Sequence, residues 1–130
     1  AMHAHAARAY PEECCGLMLG ADDDGSQRRV VDVLEVANVK DEARTRRYLM
    51  APAALLAAEK TASGRGLEVV GIYHSHPDHP SQPSEFDREH AMPFWSYLIV
   101  SCQRGAVAST QSWRLREDRS QFDEEDLVIQ

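Results

Sequence analysis

The chain has 130 residues, of which 43% are hydrophobic and 27% charged, and its formal net charge is -7. This length and composition predict one soluble globular domain over residues 1–130, with a single core. The acidic balance, without a basic stripe, excludes general nucleic-acid binding, which needs lysine and arginine side chains to meet phosphates. The apolar runs are far shorter than the roughly 20 residues that span a bilayer, and the start does not read as a signal peptide, so we expect a cytoplasmic protein with no membrane association.

The first half of the chain alternates short apolar stretches with turns. The predicted helix stops before Pro11, because a residue that precedes proline avoids the helical region. In chain order the expected elements are a helix over Met2–Tyr10, a buried strand over Cys14–Gly20, an acidic turn over Ala21–Ser26, a strand over Arg29–Val36 and a short strand over Arg46–Met50. Three cysteines, of which Cys14 and Cys15 are adjacent, predict reduced thiols in the core rather than a disulfide framework.

The second half contains two helical segments and most of the remaining strands. Proline in the first turn and glycines after the end mark a helix over Pro52–Ala62. After it we expect a buried strand from Leu67 to His76, a proline-rich loop over Pro77–Pro83, a short helix over Ser84–Ala91, paired strands over Ser96–Cys102 and Ala106–Arg116, and a short edge strand over Leu127–Ile129. Because the strands are mostly consecutive, they predict an α/β domain with a curved mixed sheet flanked by helices.

Two histidines at the end of a predicted buried strand make the strongest functional pattern. Alternate residues of a strand point to one side, so His74 and His76 face the same point from positions about 6 to 7 Å apart. Asp87, after a loop long enough to turn back, can add a carboxylate. Three such ligands leave a fourth tetrahedral position open, which is typical of a catalytic zinc site.

Each part of this pattern also has an ordinary structural explanation. A His-x-His pair on a strand is more often structural than metal-binding, and Ser84-x-x-Asp87 fits a capping box at the start of a helix. The two interpretations are compatible in part, since residues three apart on a helix share a face.

The arrangement His74-Ser75-His76-Pro77, with seven residues between His76 and Ser84-Glu85-Phe86-Asp87, resembles the signature of the JAMM (MPN+) zinc metalloproteases. That family also has a glutamate in a Pro-x-Glu segment before a glycine-containing apolar strand, and Pro11-Glu12-Glu13 stands before such a strand here. By this alignment Glu13, not Glu12, takes the catalytic position.

The resemblance implies a JAMM/MPN domain of cytidine deaminase-like fold with one Zn²⁺ per chain, held by His74, His76 and Asp87. It implies that Glu13 is the general base for a zinc-bound water and that Ser84 stabilises the oxyanion.

As a family, JAMM enzymes cut peptide or isopeptide bonds after the C-terminal diglycine of ubiquitin-like proteins. The chain lacks a long insertion and is similar to compact bacterial members, including the enzyme that releases cysteine from a sulfur carrier during cysteine biosynthesis. The resemblance therefore implies a ubiquitin-like sulfur carrier protein with a C-terminal diglycine as partner. A non-catalytic MPN-type binding module and a deconjugating peptidase of another ubiquitin-like system are the alternatives; the complete signature argues against the first and does not separate the second.

Overall fold

The computed structural model describes residues 1–22, 28–40 and 47–128. These residues contain a six-stranded sheet and three helices. The elements are α1 (Met2–Ala9), β1 (Cys15–Asp22), β2 (Arg28–Val36), α2 (Pro52–Gly64), β3 (Glu68–Pro77), α3 (Glu85–His90), β4 (Ser96–Gln103), β5 (Ala106–Leu115) and β6 (Phe122–Glu125). Most of the predicted acidic turn over Ala21–Ser26 lies outside the described residues.

The sheet is mixed, as predicted. Its strand order is β2-β1-β3-β4-β5-β6, in which β3 and β4 are parallel and the other neighbours are antiparallel. A parallel pair needs a crossover connection, and the connection between β3 and β4 contains α3. Central position explains why β3 is buried from Val70 through Pro77.

Two apolar layers cover the two faces of the sheet. On one face Tyr73 and Met18 belong to a cluster with Ala6 of α1. On the other face Ile72 and Leu17 belong to a cluster that includes Ala58 of α2. Because successive strand residues point to opposite faces, the alternation along β3 sends the two histidines after Tyr73 to the side of α2. None of the helices in the described ranges is long and apolar enough to cross a bilayer.

Two predicted strands are wrong where the structure describes them. Residues 47–50 form no strand; they are held by a hydrogen bond of 2.9 Å from Val39 N–H to the Leu49 carbonyl and by side-chain contacts. Leu127 and Val128 lie beyond the last strand, while Phe122 pairs with Leu115 and forms the edge instead. The rings of Phe122 and Tyr97 pack edge to face, with their centroids 6.0 Å apart. This contact anchors β6, which is more polar than Leu127 and Val128, to the core.

Gly71 of β3 offers a direct test of how closely β3 and β4 approach. A Cβ at Gly71 would lie 2.0 Å from the Ser96 backbone oxygen, whereas one at Gly64 would meet nothing within 4 Å. We expect Gly71→Ala to lower the free energy of unfolding by about 1 to 3 kcal/mol, because backbone must move to admit the methyl group. Gly64→Ala, in helical backbone, should leave it unchanged or raise it by up to about 1 kcal/mol. Urea denaturation of both variants measures the difference, and equal effects would contradict this account of the packing.

Candidate metal centre

The end of β3 brings two imidazoles together inside the protein. His74 and His76 are 1% and 6% exposed, and their Nε2 atoms lie 3.2 Å apart. They occupy alternate positions of a strand that is hydrogen-bonded on both sides, to β1 and to β4. The backbone therefore fixes the direction of both rings, and the sequence prediction that they face one point is confirmed.

Asp87 reaches the same point from α3. Its Oδ2 atom lies 3.0 Å from Nε2 of His76 and 3.3 Å from Nε2 of His74. Ser84 caps the helix: its Oγ accepts a hydrogen bond of 3.1 Å from Asp87 N–H, and Asp87 Oδ2 accepts one of 2.8 Å from Ser84 N–H. The capping box and the convergence of ligands are thus both present, and the same oxygen of Asp87, Oδ2, takes part in both.

The three side chains fit a divalent metal ion. Four ligands at about 2.0 to 2.1 Å from a tetrahedral zinc ion stand about 3.3 Å from one another. The ligand atoms of His74, His76 and Asp87 are separated by 3.0 to 3.3 Å. Nδ1 of His76 donates to the Pro80 carbonyl at 2.8 Å, so a neutral His76 directs the lone pair of Nε2 into the cluster.

The charges of the metal-free cluster favour the same conclusion. Burial lowers the pKa of His74, which keeps that imidazole neutral and able to bind a metal. Burial alone would raise the pKa of Asp87, but the two histidines hold it well below its usual range. Burial also opposes the charge on His76, yet the Asp87 carboxylate outweighs burial and raises the pKa of that histidine. In the absence of a metal ion, the Asp87 carboxylate is therefore paired with a protonated His76. A cation can take the place of that proton.

Glu13 lies beside this cluster because the chain ahead of β1 continues the pairing with β3. Ser75 N–H donates to the Cys14 carbonyl at 3.1 Å, and Cys14 N–H donates to Ser75 Oγ at 2.8 Å. The Glu13 side chain is 3% exposed, and its Oε1 has no hydrogen-bond partner among the described residues. Burial raises the pKa of Glu13 to about 8; His76 lowers this pKa by a smaller amount, and Asp87 raises it slightly. An unpartnered buried carboxyl with a shifted pKa is typical of a functional site.

Asn38 supports the site and was not identified from the sequence. Its Nδ2 donates to the carbonyls of Glu13 and Arg47, each at 3.1 Å, and its Oδ1 accepts the N–H groups of Lys40 and Leu49 at 3.1 and 3.0 Å. One side chain therefore joins the backbone of Glu13 to the segment before α2. No spacing rule links an asparagine to a residue 25 positions earlier.

Tyr48 is a second residue that sequence reasoning missed. Its ring stacks on His74, with centroids 4.6 Å apart and an angle of 27° between the planes. The tyrosine lies in the segment wrongly predicted as a strand, where alternation gave no reason to place it beside a histidine. The stack restricts rotation of the His74 ring.

The chain belongs to the prokaryotic JAB family: the sequence model described as prokaryotic homologs of the JAB domain matches residues 1–116. This membership confirms the family resemblance and the JAB/MPN fold.

The proteins similar to this chain include two curated relatives and one solved structure. A desampylase of Haloferax volcanii is 37% identical over 92 residues, which cover 70% of this chain and 63% of the relative. A probable TtuB-protein conjugate cleaving protease of Thermus thermophilus is 40% identical over 96 residues, covering 74% and 60%. The chain thus spans about three fifths of the length of these relatives. A solution structure of a Salinibacter ruber protein has a TM-score of 0.76 and 44% identity, with 98% of this chain and 84% of that chain covered.

The raised pKa of Glu13 predicts a pH-dependent stability of the metal-free protein. Because the folded pKa of about 8 exceeds the ordinary glutamate pKa of 4.5, the folded state holds the proton over a pH range in which the unfolded chain has lost it. Stability conferred by protonated Glu13 is therefore lost as pH rises from about 4.5 to about 8. Relative to Glu13→Gln, the wild type should lose about 2 to 5 kcal/mol across this range.

Urea unfolding of chelator-treated protein at several pH values measures this difference. The glutamine variant is the matched control, because it keeps the shape of the side chain and cannot ionise. Parallel stability profiles of the two proteins would show that Glu13 is not held in its protonated form.

Proposed function

We propose that this chain is a zinc-dependent metallopeptidase that hydrolyses a peptide or isopeptide bond after the C-terminal diglycine of a ubiquitin-like protein. The observation that carries the proposal is the convergence of His74, His76 and Asp87 next to the buried carboxyl of Glu13, whose Oε1 has no hydrogen-bond partner among the described residues. Similarity to a desampylase and to a protease named for cleaving TtuB-protein conjugates supports the same class of reaction.

In this proposal the two histidines and Asp87 hold the ion through the atoms that already converge. When bound, a zinc ion lowers the pKa of water toward about 7 and polarises a carbonyl as a Lewis acid. The protein supplies the ligand atoms in a buried position, and Pro80 keeps the tautomer of His76 that ligation needs.

Glu13 is the proposed general base. Its free Oε1 can accept a proton from the water that attacks the scissile carbonyl, and can then deliver that proton to the departing amine nitrogen. Burial raises the pKa of Glu13 to about 8, and a cation held by the neighbouring ligands would lower this pKa and so favour the ionised form that a base requires. The Asn38 and Ser75 contacts hold the adjoining backbone while the side chain acts.

Ser84 is the proposed donor to the oxyanion. Its Oγ already accepts the Asp87 N–H group, but a hydroxyl has two acceptor sites and one donor, so its hydrogen can still reach a ligand. Ser84 is exposed while Asp87 is buried, which supports a position of the hydroxyl on the solvent side of the proposed metal ligands.

A sulfur carrier protein is our preferred ubiquitin-like partner, with release of a C-terminal adduct in cysteine biosynthesis. The compact build supports it: residues 37–51 join β2 to α2, and Arg104-Gly105 alone separates β4 from β5. A ligand cluster this deeply buried favours glycine at the cleaved bond, because a residue without a side chain approaches most closely. Deconjugation of another ubiquitin-like modifier is the second candidate, favoured by the name of the Thermus thermophilus relative.

Two substitutions separate metal binding from catalysis. We expect Glu13→Gln to retain one zinc ion per chain and to lose about 10² to 10⁴ in turnover, because a general base is removed and the ligands are kept. His76→Ala should lose both zinc and activity, since two ligands remain. Metal content by mass spectrometry and cleavage of carrier proteins with C-terminal adducts measure the two effects.

The substrates offered in this assay decide between the candidate functions. Cleavage of carrier adducts supports the preferred function, and cleavage of protein conjugates alone supports deconjugation. A wild type that binds zinc and cuts none of these substrates would refute both, and full activity of Glu13→Gln would remove Glu13 from its proposed role.

Substitution of Ser84 distinguishes oxyanion stabilisation from helix capping. Ser84→Ala should lower turnover by about a hundredfold or more, while loss of the cap costs about 1 kcal/mol of stability. Ser84→Thr keeps a hydroxyl for both roles and should retain most of both properties. Turnover of zinc-loaded protein and urea denaturation are the paired measurements; an alanine variant that is less stable but equally active would leave only the cap.

A further inference from the structure

Asp87, the third proposed metal ligand, lies on α3, a helix too short to be stable by itself. Helix α3 has six residues, fewer than an isolated helix needs to be stable in water. Its N-terminus is closed by the capping box, but its C-terminus ends at Ala91 in an extended conformation, without the glycine that commonly closes a helix. The last carbonyls of α3 therefore require partners from elsewhere in the chain.

Arg119 provides those partners. Its guanidinium donates to the carbonyls of Ala91, Arg88 and Glu89 at 2.8, 3.3 and 3.2 Å. In return the Arg88 guanidinium donates to the Arg119 carbonyl at 2.8 Å. Four hydrogen bonds in both directions thus join the end of α3 to the turn between β5 and β6, and a positive charge at a helix C-terminus is favourable in itself.

Local hydrogen bonds hold the turn that contains Arg119. Arg119 has a φ of 64°, which few residues other than glycine adopt. Its N–H donates to the Arg116 carbonyl at 2.8 Å, and Asp118 Oδ1 accepts both the N–H and the hydroxyl of Ser120. An unfavourable backbone conformation is thus maintained at the residue whose side chain contacts α3.

We propose that Arg119 is a positioning residue of the metal centre, which holds Asp87 at the distance from His74 and His76 that a metal ion requires. The two histidines are held by the central strand. Asp87 lies on α3, directly before Arg88, whose carbonyl accepts a hydrogen bond from Arg119. Metal–ligand distances vary by only about 0.2 Å, so a shift of α3 would weaken ligation by Asp87. This inference rests on the metal site of the proposed function and not on its substrate.

Arg119→Gly is the appropriate test because it removes the guanidinium and still accepts a positive φ. We expect the zinc dissociation constant to rise by about 10 to 100-fold, the effect typical of losing a group that orients a ligand. Arg119→Lys, whose single ammonium replaces a planar fork, should give an intermediate value and serves as the milder variant if the glycine protein does not fold.

Arg116→Gln is the matched control in the same turn. It removes the ion pair with Asp123 but no contact with α3, and should leave the dissociation constant within about twofold of the wild type. Competition with a chelator measures the affinity, and the absorption spectrum of the cobalt-substituted protein reports whether Asp87 still binds. A purely structural role of Arg119 would lower the stability of the metal-free protein and leave both readouts unchanged.

The outcomes separate this inference from the proposed function. Equal zinc affinity and equal cobalt spectra in wild type and both Arg119 variants would overturn the positioning role and leave the metallopeptidase proposal intact. A wild type that binds no zinc would refute the metal site itself.

Discussion

The pairing of β1 with β3 is the interaction on which the rest of the site depends. Cys15 pairs with His74, and the two hydrogen bonds between Cys14 and Ser75 extend this pairing by one residue. One ladder therefore sets two positions at once: the histidines at the end of β3 and the carboxyl of Glu13 ahead of β1. Since strand alternation sends Ser75 to the opposite face from its neighbours, Ser75 can fasten the backbone without entering the ligand cluster.

The three ligands differ in how firmly the fold holds them. His74 and His76 lie on a strand that is paired on both sides and buried from Val70 onward. Asp87 lies on a helix of six residues, whose position is set by its own cap and by a turn at the far edge of the sheet. The histidines thus have a rigid support and Asp87 a more adjustable one, so a change at this edge of the sheet would move Asp87 through α3 more readily than it would move the histidines.

Local patterns predicted most of the elements and the convergence of the candidate ligands because their physical causes are local. The two-residue period of a strand aligns His74 with His76, and a three-residue spacing joins Ser84 to Asp87 at a helix start. Asn38, Tyr48 and Arg119 escaped prediction because each acts through contacts between distant segments, for which the sequence carries no period. The wrong edge strand has the same cause: hydrophobicity favoured Leu127, while the turn around Asp118 and the contact of Phe122 with Tyr97 determine which residues pair.

The site is also where the chain departs from the rule that buried polar atoms find partners. Among the side chains of the described ranges, the buried atoms without a hydrogen bond are Oε1 of Glu13 and Nδ1 of His74. Each such atom costs about 1 to 3 kcal/mol, and a buried acid adds the cost of its charge once it ionises. Packing alone would favour an apolar residue at position 13, since it would remove both costs. A fold that instead keeps a carboxyl there, beside two imidazoles and a second carboxylate, gives up stability at a place where a cation would recover it.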